Sequence, residues 1–125
     1  MVAFYDMKPS KLEAVGNGSY VYRYNIEEFT PETSEGEEPR AAQWKCEEVT
    51  VWSPVTSNKI TEAVISEKWD GNYEQKLVNE YNAAQLGLYD KDEAAARVQA
   101  YRDFLSERSA LKAQVDTDCA ELGIR

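Results

Sequence analysis

After Pro54 the 125-residue chain contains no further proline, and its three remaining glycines stand at positions 71, 87 and 123. Proline breaks a helix by removing a donor and clashing with the preceding turn, and glycine collects where helices stop. The second half of the chain is therefore expected to be helical, punctuated at those glycines. A first helix is expected over about 58–69, capped by Ser57 or Asn58. Its apolar residues fall in two sets, Ile60, Ala63 and Val64 against Ile65 and Trp69. A helix with two apolar faces must be sandwiched, here between a sheet and other helices. A second is expected over about 72–86, with Asn72 as N-cap, Gln75 three residues on, and a stripe of Tyr73, Leu77, Tyr81 and Ala84. The third spans about 91–122, opening on Asp90 with Glu93 three residues later. Its stripe (Ala94, Val98, Tyr101, Phe104, Leu105, Leu111, Val115, Cys119, Leu122) fills an arc of about 140°. Gly123 ends it, and Ile124 is placed to fold back on Cys119.

Arg108 and Lys112 interrupt that stripe. Long stems that cover apolar surface while their heads reach water explain both. The sharper alternative is that the helix outruns its own domain. Its second half, with Arg108, Leu111, Lys112 and Val115, would then pack on another chain, giving a homo-oligomer through the C-terminal helix.

The first part reads as β. Residues 11–15 lead through Gly16, Asn17 and Gly18 into the clearest period of two in the chain. Tyr20, Tyr22, Tyr24 and Ile26 are expected on one face and Val21, Arg23, Asn25 and Glu27 on the other. A half-buried sheet face accounts for the tyrosines, and an aromatic platform for sugars or bases is the alternative. Residues 43–52 form a third strand that Pro54 closes. Residues 1–7 are either a frayed start or an edge strand. Between the strands, residues 27–40 carry six acids and one base, Arg40. The stretch 29–42 is expected to be a mobile loop, with a docking arm for a basic partner as the alternative. The expectation is an α+β fold: a small antiparallel β-meander of about three strands over 1–56, then three helices over 57–125, sharing one core.

Composition limits the chemistry. Histidine is missing, and Cys46 and Cys119 form no close pair. Two buried thiols are expected, with a single disulfide between them as the alternative. No P-loop, GxGxxG or nucleophile motif occurs. No catalytic, cofactor or metal residue is assigned, no cofactor is expected, and the chain is not read as an enzyme. Fourteen bases against 23 acids give a net charge of −9. That argues against nucleic acid and anionic membranes as partners. The start carries no secretory or membrane-spanning pattern.

Three stretches point to a family. Ser57-Asn58-Lys59-Ile60-Thr61-Glu62-Ala63-Val64-Ile65-Ser66-Glu67-Lys68-Trp69 is similar to the first helix of small accessory proteins encoded among phage and prophage tail genes of Bacteroides-type genomes. Phe104-Leu105-Ser106-Glu107-Arg108-Ser109-Ala110-Leu111-Lys112 resembles their terminal helix, and Gly16-Asn17-Gly18-Ser19-Tyr20 their turn. The resemblance implies a non-enzymatic tail accessory or fibre-assembly protein, working through contacts with a tail or fibre component, in the bacterial cytoplasm or on the virion. The competing expectation from charge is an acidic decoy that fills the basic groove of a nucleic-acid-binding protein.

Overall fold

The computed structural model describes residues 1–38 and 41–125. Four strands are followed by three helices: β1 (Val2–Tyr5), β2 (Leu12–Ala14), β3 (Ser19–Phe29), β4 (Gln43–Trp52), α1 (Ser57–Lys68), α2 (Gly71–Gln85) and α3 (Lys91–Leu122). The fold is α+β, with four strands where about three were expected, because residues 2–5 pair as an edge strand. All pairings are antiparallel, in the order β1-β4-β3-β2. Beyond β3, residues 30–38 and 41–42 hold no strand or helix. The rest of the expected mobile loop, Pro39 and Arg40, lies outside the described residues.

The tyrosine alternation holds only as far as Tyr24. There a bulge adds one residue to β3, so that Tyr24 faces Glu47 but Glu27 faces Lys45. Asn25 takes the left-handed conformation that lets the chain do this, at φ 53°. Ile26 therefore does not continue the tyrosine face as the plain period of two predicted. Glu27 and Phe29 change over to that face instead.

Helices cover one half of one sheet face. Tyr22, Tyr24, Val49 and Val51 from the sheet meet Ile60 and Val64 of α1 and Leu111, Val115 and Cys119 of α3 in a single core. As its two apolar sets require, α1 lies between β4 and α3. Its outer side meets Phe104 through Trp69, the rings edge-on at 4.9 Å. The caps shift by a residue or two from expectation. Thr56 caps α1, and Asp70 rather than Asn72 caps α2. Gly71 opens α2 rather than closing α1. At the end of α3, Gly123 is left-handed and the Ile124 amide donates to the Cys119 carbonyl at 2.8 Å, as expected.

The alternative of a helix that outruns its domain is met at the other end. The half of α3 that leaves the sheet is the first, not the second. At 1.5 Å per residue α3 is roughly 48 Å long, and its residues from Leu111 to Cys119 lie on the sheet. The earlier turns run beside α2, with Tyr81 against Tyr101 and Arg97 bonded to Glu80 at 2.9 Å. The two helices make an arm whose turn exposes Leu86 and Leu88.

Candidate functional site

The structure joins two of the surfaces that sequence singled out, but to each other. Tyr22 and Tyr24 stack at 5.6 Å, and both are buried among Leu111 and Val115. Tyr20 is partly buried at the margin. The Tyr22 hydroxyl donates to Asp118 at 2.5 Å, and Lys11 donates to the other oxygen of the same carboxylate at 2.9 Å. Burial first, and then the bond to Asp118, hold the Tyr22 phenol far above its ordinary value. Burial and the charges of Glu47 and Glu67 push Tyr24 up to about 12. Closed in this way, Tyr22 and Tyr24 offer no open platform. Leu111 and Val115 are equally occupied, packed in the core of the chain itself, where the alternative reading had set them against another chain. Arg108 is partly buried, with its Nε lacking a hydrogen-bond partner among the described residues. Lys112 is exposed and bonds Asp116 one turn on at 2.9 Å.

The opposite sheet face carries a network that sequence reasoning missed. Arg23 is buried there and reaches Glu13 at 2.9 Å and Glu48 at 3.2 Å, while the Tyr5 hydroxyl donates to Glu48 at 2.6 Å. Residues 6–11 must cross the sheet to link its two edges, and they do so over this side. Ser10 accepts from Arg23 at 3.2 Å, and Lys8 sits over Trp44. Burial works against the Arg23 charge, but hydrogen bonds to Tyr5 and Glu13 outweigh it and raise the guanidinium above its ordinary value. Alternation alone could show only that Arg23 left the tyrosine face. Its partners come from four other segments, through Tyr5, Ser10, Glu13 and Glu48. Cys46 is buried on this side, opposite Ala3, whereas Cys119 belongs to the helix-side core. The sheet separates the two thiols, which are free. Burial raises both.

Several depressions remain open, and two of them adjoin the residues above. A cleft of about 500 Å³ lies between Lys8–Lys11, the β3 bulge and the end of α3. Most of its charges are already matched, Lys11 with Asp118 and Glu121, and Arg23 with Glu13 and Glu48, while Lys8 lies over the Trp44 ring. The second is more telling. Above the helices, the tyrosine face continues uncovered through Val2, Phe4 and Phe29. Phe4 and Phe29 lie 5.3 Å apart, each partly open to solvent, and the former is 49% exposed. Beside them a groove of about 300 Å³ is lined by Phe4, Asp6, Phe29, Pro31, Ala41 and Gln43. Val2 and Glu27 line the neighbouring depression with Glu47 and Lys45. The bulge at Asn25 creates this surface by turning Phe29 toward Phe4.

Among the described residues no cluster of three or more histidine, cysteine or acidic side chains is set to hold a metal. Among the same residues no helix is long and apolar enough to cross a membrane. No protein-family model, curated protein or solved structure matches the chain.

Proposed function

We propose that this protein is a non-enzymatic interaction module that presents the uncovered half of its sheet to a protein partner. The observation that carries the reading is the Val2, Phe4 and Phe29 surface. Aromatic side chains contribute most to binding when desolvated, and a sheet face with two partly open phenylalanines in contact gains by being covered. The helical arm, with Leu86 and Leu88 at its turn, offers a second, smaller contact point. The resemblance to phage tail accessory proteins supplies the setting: a tail or fibre component as partner, met during assembly in the host cell or on the particle.

An acidic decoy is less well supported. In the helical half several acids are engaged by bases, as in Arg97 with Glu80 and Glu93, Lys112 with Asp116 and Lys68 with Glu107, which leaves fewer free carboxylates to imitate a phosphate backbone. Crosslinking and mass spectrometry in the cells that produce the protein test the proposal. A tail or fibre protein joined through Lys8 or Lys45, which flank the sheet, is the expected product. Recovery of nucleic-acid-binding proteins alone, in a salt-sensitive manner, would replace the proposal with the decoy.

A further inference from the structure

We propose that the outer edge of β1 receives an extended segment of the partner as a fifth strand, and that this segment alternates apolar and basic residues. The inference rests on the interaction reading above and goes on to define the partner's chemistry.

Backbone geometry comes first. Met1 and Glu48 exchange both hydrogen bonds, at 3.0 and 2.8 Å. In an antiparallel ladder bonded and non-bonded pairs alternate. Ala3 opposite Cys46 and Tyr5 opposite Trp44 are then the bonded pairs, while Val2 and Phe4 turn their amides and carbonyls to the outer side. β1 is the end of the sheet, and no described strand lies beyond it. Natural edge strands are usually blunted by charge, proline or a bulge. Among the described residues β1 has only its shortness for protection, since Val2, Ala3, Phe4 and Tyr5 carry no charge and pair in unbroken register. The β3 side of the sheet, by contrast, is bent by the bulge, and the Asn25 side chain there accepts from Gln114 at 2.9 Å.

Side chains and charge then choose the occupant. A strand laid along β1 would extend the face on which Val2, Phe4 and Phe29 stand open, so its alternate residues should be apolar. Asp6, Glu27 and Glu47 border that surface, and Glu28 and Glu32 follow in the chain. Among the described residues Lys45 is the one base on this part of the face, and it lies over the Phe29 ring at 6.0 Å. A second copy would bring another chain of net charge −9 against the first. A basic segment meets the acids instead, and charge complementarity of this kind sets partner choice.

The test uses the full chain, isotope-labelled, with a blocked octapeptide of alternating lysine and valine as probe. Binding should slow hydrogen exchange at the Val2 and Phe4 amides and shift their neighbours. Methylating the peptide nitrogens that face the edge should weaken binding roughly tenfold, the loss expected for two backbone hydrogen bonds. A glutamate–valine peptide should not bind. Phe4→Ser should weaken binding with unchanged circular dichroism, and Leu88→Ser should leave it intact. Equal binding of the methylated or the acidic peptide would overturn the proposal. So would shifts confined to the arm, or exchange that slows with protein concentration alone, which would identify a second copy. Crosslinks to a tail protein through the arm, with an indifferent β1 edge, would sink this inference while leaving the interaction role standing.

Discussion

Replacing Tyr22 by phenylalanine is the sharpest single probe of how the sheet and the long helix are held together. The side chain is fully buried, and its hydroxyl donates to Asp118 at 2.5 Å. The substitution keeps the ring and its stacking on Tyr24 and removes only that bond. A hydrogen bond to a charged group contributes about 1.5–3 kcal/mol. Lys11 still serves the other carboxylate oxygen at 2.9 Å, so the middle of that range, about 2 kcal/mol, is the expected loss. With an unfolding entropy near 2.1 cal/mol/K per residue over 125 residues, this lowers the melting temperature by roughly 8 °C. Urea and thermal unfolding followed by circular dichroism measure both quantities. Combining Tyr22→Phe with Asp118→Ala in a double-mutant cycle should give a coupling of roughly 1–2 kcal/mol. A single variant within about 0.5 kcal/mol of the parent, or strictly additive effects, would refute the assignment of this bond as the fastener of α3 to β3.

Leu111→Glu should unfold the protein, by more than about 3 kcal/mol, because it places a charge in the core beside Val115. Light scattering that shows a folded parent oligomer dissolving into folded monomers would contradict this. Asn25→Val should cost about 1–2 kcal/mol in chemical denaturation, since the position is left-handed at φ 53°, whereas Asn25→Gly should lose only the contacts with Glu47 and Gln114. Equal cost for the two variants would show that the bulge conformation is not the constraint. Stability should fall as pH rises past about 9. The thiols of Cys46 and Cys119 and the phenols of Tyr22 and Tyr24 all hold their protons more tightly folded than unfolded. Their contribution is complete below the unfolded values and fades above them, for Tyr24 between 10 and about 12. A urea midpoint flat from neutrality to pH 11 would oppose it.

How much was legible depended on whether the physics was local. The helices were readable because breakers, caps and a 3.6-residue period act within a few positions, and α3 begins and ends where the Asp90 cap and Gly123 place it. The bulge was not readable. Asn25 interrupts an otherwise regular alternation, and the signal for the break was only an asparagine that tolerates a left-handed backbone. That one residue decides which face Phe29 occupies, and with it the candidate surface. Arg108 and Lys112 drew attention to the second half of α3. Yet a charged residue within an apolar stripe says only that a long side chain lies there, and carries no address for its neighbour.

By itself, then, the sequence determined the α+β class, the three helices and the alternation that marks Tyr20, Tyr22 and Tyr24 as one sheet face, because backbone propensity and side-chain period are properties of neighbouring residues. Tertiary structure decided what those faces meet. It set Leu111 and Val115 against Tyr22 and Tyr24, buried Arg23 between Glu13 and Glu48, and left Phe4 beside Phe29 with the outer edge of β1 open. Each of these depends on the register and packing of segments far apart in the chain, and an amphipathic stripe specifies that it must be covered without specifying by what.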